Sequence, residues 1–301
     1  MSAISTKNLT KYYGKHKGVS KINLDVKEGE IFGFIGPNGA GKSTTIRMLM
    51  QLIKPTSGEI NVLNEPLTTE QHTLRNKIGY LPSEINYYKD MTGKQVLEFA
   101  ARANDIQLKD TATKQYAELL NFDMSKKVKS YSMGNRKKLG ILQTLLHDPK
   151  LLILDEPTSG LDPLMQHSFF DLLKELNGSG MTIFFSTHIL SEVEKVCDRV
   201  AIIRNGEIIR TSKVSEIQES KKRTIEVQFM ESGNLIEKYG LQQIDSSVNF
   251  NNGMHNLTVQ KEIHNVLKHI SQYPIKDISI HKPTLEELFM EYYEKEEGEK
   301  E

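Results

Sequence analysis

Residues 36–44 read GPNGAGKST, and their types suit a phosphate better than a hydrophobic core. Gly36, Gly41, Lys42 and Ser43 satisfy the spacing G-x-x-x-x-G-K-[ST], with Pro37, Asn38, Gly39, Ala40 and Thr44 completing the loop. In that pattern backbone N–H groups face a polyphosphate at a helix N-terminus, where the helix dipole favours anions. The lysine neutralises β/γ oxygens and the serine hydroxyl reaches magnesium. A glycine-rich turn that merely joins strand to helix is the bland reading, and a full match in the right context makes it the weaker one. Further along, Asp155 and Glu156 close the aliphatic run LLIL. A carboxylate at the C-terminal edge of a buried strand sits where α/β sheets bind ligands. Asp155 suits magnesium through water, and the adjacent Glu156 can orient or deprotonate water attacking a γ-phosphate. By itself an acidic pair at a strand end reads as a cap or a solvated turn; the upstream loop reverses that preference.

The surrounding pattern supplies the elements such a site needs. KINLDVKEGEIFGFIG alternates over residues 21–28 and then becomes the apolar run Ile31 to Ile35, which predicts a hairpin feeding a buried strand. After the glycine loop, apolar residues at 46, 48, 49, 52 and 53 share one helical face, with Pro55 as the stop. Strand, glycine loop and helix is the order a P-loop requires. Thr92 with Gln95 is a capping-box signature ahead of another apolar helical face, and residues 84–147 read as a mostly helical insert. The strand 151–155, a helix from about Asp162 and the buried strand MTIFFSTH restore the logic of a parallel sheet. RVAIIRNGEIIRTS reads as a hairpin turned by Asn205 and Gly206.

A charged stretch, residues 216–224, precedes a change of texture. Short strands are expected at IEVQF, VNFNNGMHNLTVQ and KDISIH, with helical patterns near 232–239 and 261–271 and a terminal helix capped by Thr284 with Glu287. The expected fold class is therefore α/β, a mostly parallel core sheet with an antiparallel β subdomain and a helical insert, followed by a small α+β domain. The expected organisation is a nucleotide-binding domain over 1–218, a linker at 219–223, an accessory domain over 224–294 and an acidic tail at 295–301.

Bulk properties narrow the class. Lys plus Arg and Asp plus Glu each total 39, so the balance of charge points to no nucleic-acid partner. The single Cys197 forms no internal disulfide, and with Val193, Val196 and Val200 on a helical pattern it reads as a buried thiol in a reducing compartment. No stretch has the length of apolar residues needed to cross a bilayer, and the N-terminus lacks the apolar core of a signal peptide. Service to a membrane would go through a separate chain.

From about residue 4 to residue 215 the sequence resembles the ATP-binding subunits of ATP-binding cassette (ABC) transporters. YSMGNRKKLGILQ (131–143) stands where that family places its signature, and TSGLD (158–162) resembles the loop that communicates between two nucleotide sites, with Asp162 at its polar end. Read without the family, the first stretch is only a helix capped by Ser132. The resemblance implies that Ser132 and Gly134 contact the γ-phosphate held by a second ABC ATPase subunit, identical or paralogous. His188 in STHIL resembles the family's switch histidine, which contacts γ-phosphate and supports Glu156; a lone histidine after a strand would otherwise be an ordinary surface or core residue. Tyr13 resembles the aromatic on which adenine stacks, with Tyr12 as the second candidate and local edge-strand packing as the plain reading.

Two departures stand out. The family's glutamine after YLP is here Ser83, followed by Glu84, which leaves a short hydroxyl for metal or water. Met133 and Asn135 replace the usual glycine and glutamine of the signature. The resemblance implies ATP and Mg2+ as ligands, ATP hydrolysis as the activity, an integral membrane permease on another chain docking near Tyr87, Tyr88 and Met91, and a location on the cytoplasmic face of the membrane. PTLEELFMEYY resembles the ending of the bacitracin, daunorubicin and antimicrobial-peptide efflux subclass, which points to export of a drug, peptide or lipid-like molecule. A soluble ABC ATPase acting on ribosomes or DNA is the competing reading; such members usually carry two cassettes with a basic linker, coiled coils or zinc sites. A P-loop kinase is the third reading, and it has no use for a second phosphate site supplied in trans.

Overall fold

The computed structural model describes residues 1–67, 72–218, 223–259 and 263–281. The chain divides into two compact units, Met1–Val214 and Ser215–Glu301. The first contains strands β1 (Ser2–Tyr13), β2 (His16–Ile22), β3 (Asp25–Lys27), β4 (Ile31–Ile35), β5 (Ser57–Val62), β6 (Glu65–Pro66), β7 (Ile78–Leu81), β8 (Leu151–Asp155), β9 (Thr182–Thr187), β10 (Arg199–Arg204) and β11 (Glu207–Lys213). Its helices are α1 (Lys42–Leu49), α2 (His72–Arg75), α3 (Gly93–Ala103), α4 (Thr113–Leu119), α5 (Met133–Leu145), α6 (Pro163–Gly178) and α7 (Leu190–Val196), and α8 (Val214–Gln218) follows β11.

Among the described residues the central sheet has the order β11-β10-β4-β9-β8-β7, parallel except for the β10–β11 hairpin. Its strands β4, β8 and β9 are buried throughout, as runs without polar alternation require. Phe32, Phe34 and Phe184 pack on one another, and this core is continuous with Ile46, Met48 and Leu49 of α1 and with Ile4, Leu9 and Ile22 of the antiparallel sheet β2-β1-β5-β6. Asn205 (φ 49°) and Gly206 (φ 79°) turn the β10–β11 hairpin, as their types predict.

Three local expectations are corrected. The stretch 21–35 is not a hairpin: β3 pairs with β1, whereas β4 lies parallel between β9 and β10. Gly29, at φ 74°, turns the chain from one sheet to the other, because an all-apolar run is satisfied only where both faces are covered. Helix α1 ends at Leu49, not near Pro55; Gln51 adopts a left-handed conformation (φ 55°), and Leu52 is 58% exposed. Cys197 is buried, but Val200 belongs to β10 and not to the helix; Sγ packs on Gly33 of β4, and burial pushes the thiol pKa well up.

The insert between β7 and β8 is helical as expected, and α3 begins with the full capping box: Gln95 N–H donates to Thr92 Oγ1 (3.2 Å) and the Thr92 N–H to Gln95 Oε1 (2.8 Å). Among the described residues no helix is long and apolar enough to cross a membrane.

The second unit has strands β12 (Arg223–Phe229), β13 (Asn249–Asn251), β14 (Met254–Val259) and β15 (Ile275–His281) in the order β13-β14-β12-β15, with α9 (Ile263–Ile270) packing Val266 and Ile270 into its core. A helix near 232–239 is not formed. Tyr239 N–H donates to Leu235 O (2.9 Å), a single turn stopped by left-handed Gly240 (φ 61°), while Leu235, Ile236 and Tyr239 are buried without it. The expected terminal helix from Thr284, the tail, and the linker apart from Arg223 lie outside the described residues.

His255 is buried against Phe229 and Phe250, at ring separations of 5.3 and 4.7 Å. Its Nε2 accepts from the Leu235 N–H (2.9 Å), so the neutral ring carries its proton on Nδ1, which has no hydrogen-bond partner among the described residues. Burial lowers its pKa below the usual 6.5. The unfolded chain then binds the proton more readily, so this contribution to stability is present above the unfolded value and is lost as pH falls below it. We expect the denaturant midpoint of the second unit to drop between about pH 7.5 and about pH 5.5, and to drop less in His255→Gln. Equal acid sensitivity of the two proteins would contradict this assignment.

Candidate functional site

Three neighbouring parallel strands end on one edge of the central sheet, and each delivers part of the site. After β4 comes the glycine loop, after β8 the acidic pair, and after β9 the histidine loop. Gly36 is obligatory because an added Cβ would collide with the Ile203 carbonyl, and Gly41 sits at φ 109° with its Cα facing Val19. That conformation lets Lys42 begin α1 directly, so the loop amides open at the N-terminus of an eight-residue helix. The remaining loop residues, Pro37, Asn38, Gly39 (φ 81°), Ala40, Ser43 and Thr44, complete the same turn.

Lys42 is 5% exposed. Its Nζ donates to the carbonyls of Gly36 (2.8 Å) and Pro37 (3.2 Å) and pairs with Glu156 Oε1 at 3.4 Å. Glu156 itself takes φ 48°, an uncommon conformation for a residue with a Cβ, held by its N–H donating to Ser186 O (3.1 Å). His188 Nδ1 lies 3.2 Å from the same Oε1. Asp155 is buried, and Ser186 Oγ donates to its Oδ1 at 2.6 Å. Lysine, both carboxylates and the histidine are thus brought together from residues 42, 155, 156 and 188, which the sequence keeps far apart.

Tyr13 ends β1 and is 47% exposed. Its ring rests on Gly18, whose carbonyl approaches Gly41, so the tyrosine flanks the glycine loop; Lys11 Nζ is 5.4 Å from the ring centroid. Tyr12 is also exposed, and its N–H donates to Thr56 Oγ1 (3.0 Å).

Ser132, Gly134 and Asp162 form a second group. Ser132 Oγ caps α5 by accepting from the Asn135 N–H (3.2 Å), and Asp162 Oδ1 caps α6 by accepting from the Met165 N–H (3.0 Å). The two helix starts touch at Gly160: Gly134 approaches its carbonyl, and the Met133 thioether covers it. Neither the Ser132 nor the Asp162 side chain bonds Lys42, Asp155, Glu156 or His188. Ser83 follows β7, and its backbone carbonyl, not its hydroxyl, is engaged, accepting from Lys137 Nζ at 3.0 Å.

Several supporting residues were not singled out from the sequence. Ser186 fixes Asp155, and buried Glu192 accepts from Thr187 Oγ1 (2.6 Å), anchoring the turn that carries His188. Thr187 Oγ1 also accepts from the Ile189 N–H (3.0 Å). A polar pair, Ser186 and Thr187, closing an otherwise apolar strand was the available signal for Ser186; its pairing with Asp155 depends on long-range packing.

A glycine loop between a buried parallel strand and a helix, faced by an acidic strand end, defines a P-loop NTPase. The ABC transporter family matches residues 19–159. The bacitracin transport ATP-binding protein BcrA of Bacillus licheniformis is 39% identical over 239 residues, covering 77% of each chain, and its namesake from Enterococcus faecalis is 36% identical over 74% of this chain and 73% of its own. The uncharacterized ABC transporter ATP-binding protein YhcH of Bacillus subtilis is 34% identical over 298 residues, 96% of this chain and 95% of its own. Among solved structures, an ATP binding subunit of an ABC transporter matches with TM-score 0.65 at 30% identity, over 72% of this chain and 92% of that one. The dimeric, post-hydrolysis cassette MJ0796 bound to ADP and Pi matches with TM-score 0.63 at 26% identity, over 70% and 98%. The chain belongs to the ATP-binding subunits of ABC transporters, the ATP-hydrolysing partners in these systems.

Gly41→Ala should destabilise the first unit by about 1–3 kcal/mol, since it forces a side chain into a left-handed backbone and against Val19. Thermal unfolding of the two proteins checks this, and an unchanged melting temperature would contradict the assigned loop geometry.

Proposed function

We propose that this subunit powers export of a drug, an antimicrobial or amphipathic peptide, or a lipid-like molecule through a permease on a separate chain, from the cytoplasmic face of the membrane. Support for the cargo class comes from the relatives named for bacitracin transport. The observation that carries the permease reading is a groove of about 410 Å³ on the helical insert, lined by Tyr87, Tyr88, Met91 and Phe99. Tyr88 and Phe99 are 75% and 63% exposed, a large apolar display for a surface with no partner of its own. The Tyr87 hydroxyl is turned inward against Gly140 of α5, without a hydrogen-bond partner among the described residues, so it is the ring that the groove presents.

In this reading Lys42 and the loop amides hold the β- and γ-phosphates of ATP, and Tyr13 stacks on adenine. Glu156 orients the attacking water and accepts its proton, with His188 fixing the carboxylate and contacting the γ-phosphate. Ser132 and Gly134 complete the site of a second subunit, and Asp162 lies on the loop between the two sites. The donor set fits magnesium: one buried carboxylate at Asp155 with hydroxyls at Ser43 and Ser83 is all-oxygen, and it is too sparse to form a protein cage. Bound there with the nucleotide, Mg2+ would supply positive charge against that developing on the phosphates. Among the described residues no cluster of three or more His, Cys, Asp or Glu side chains offers a competing metal site.

Lys42 now pairs with Glu156, so an arriving triphosphate must draw the ammonium away and leave the carboxylate to water and His188. Glu156→Gln should retain ATP binding, lose hydrolysis by a factor of about 100 or more, and stay closed as a dimer. Tagged Glu156→Gln protein isolated with ATP from gently solubilised membranes of its own cell should bring down a polytopic membrane protein. Ribosomes or nucleic acid in its place would overturn the transport reading while leaving the ATPase chemistry intact.

A further inference from the structure

We propose that Lys137 is a positioning residue of the ATPase site, a buried cation that ties the 82–83 loop to the carboxylate end of β8. The inference rests on the assignment of Asp155 and Glu156 to the reaction. Lys137 lies in α5 and is 3% exposed, an uncommon place for an ammonium group without a specific task. Its Nζ donates to the carbonyls of Ser83 (3.0 Å) and Pro82 (3.4 Å). Leu81 pairs with Leu154 in the parallel β7–β8 register, so Pro82 leaves the sheet beside Asp155, the last residue of β8. The ammonium therefore sits where the loop after β7 meets the acidic pair. Burial lowers its pKa, and the charges of Asp155 and Glu156 oppose that effect in part.

The placement links three parts of the molecule. Lys137 lies in α5 behind the Ser132 cap, it holds the segment that leads into Tyr87 and Tyr88 of the groove, and the carbonyls it holds follow β7 beside the acidic end of β8. A buried lysine has three N–H donors and strong reason to keep every one matched. Displacing the 82–83 loop would strip the ammonium of its carbonyls and shift its charge relative to Glu156. The backbone of the loop is thus coupled to the carboxylate pair although the Ser83 side chain is too short to reach across. Methionine at position 137 keeps the hydrophobic stem and removes both the donors and the charge.

The test uses the full chain in three variants, Lys137→Met, Lys137→Arg and Glu156→Gln, with kcat, KM for ATP and melting temperature measured for each. We expect Lys137→Met to lose about tenfold or more in kcat with KM within about twofold of the original. Its melting temperature should fall, because removing the ammonium strands the Pro82 and Ser83 carbonyls and leaves buried Asp155 without its compensating charge, so kcat is read at a temperature where the variant is folded. Lys137→Arg should keep kcat within about threefold, since the charge is retained. A plain helix-to-loop staple predicts the same lower melting temperature for Lys137→Met but an unchanged kcat below it, and that result would overturn the proposal. Equal loss in the arginine variant would also overturn it. If Glu156→Gln hydrolyses at the original rate, the site assignment itself fails; if it is inactive while Lys137→Met is normal, only the role of Lys137 fails.

Discussion

The order of parallel strands β4, β9 and β8 is the constraint on which the site depends. Parallel neighbours end on the same edge, so the turns that leave them share one surface whatever their separation along the chain. Here those turns carry Lys42, His188 and the Asp155–Glu156 pair. The strands hold their places because both faces are covered: Phe32, Phe34 and Phe184 fill one continuous core, and no polar side chain interrupts β4 or the first four residues of β8. Asp155 is buried with a hydroxyl partner, and Glu156 departs from strand geometry at once. That change of backbone at one peptide separates a carboxylate suited to metal from a carboxylate suited to water.

The local geometry of the site was legible in the sequence because it is written in short runs. A glycine loop, a capped helix and an aliphatic strand ending in acid each state their geometry within a few residues, and Thr92, Ser132 and Asp162 all cap the helices expected of them. What escaped is non-local. Which sheet β4 would join depends on β9 and β10, more than a hundred residues away, so the alternation before Gly29 was misread as one arm of a hairpin. Residues 232–239 have helical spacing, yet Gly240 ends the segment after one turn and Leu235, Ile236 and Tyr239 reach the core regardless. Lys137 reads as one more charge on a basic helix, and only tertiary packing shows that it is buried.

The two departures from the family pattern acquire physical meaning in place. Met133 cannot imitate a glycine, and its thioether instead lies over Gly160, binding the start of α5 to the 158–162 loop. Its far side is exposed, as is Leu164 at the start of α6, so the capped helix ends present apolar surface as well as hydroxyl and amide groups. At Ser83 the backbone takes over from the side chain, with a lysine as the donor.

The central claim is that each ATP site is completed by Ser132 and Gly134 of another chain. It is tested most directly by mixing two inactive variants, Lys42→Ala and Ser132→Ala. Each homodimer lacks one half of both its sites, whereas the mixed dimer has one site with an intact glycine loop and an intact signature helix. Equimolar mixing should restore roughly a quarter of the original hydrolysis rate, from random pairing and one working site per mixed dimer. A mixture as inactive as its components would show that Ser132 acts within its own chain, or not at all, and would contradict the account.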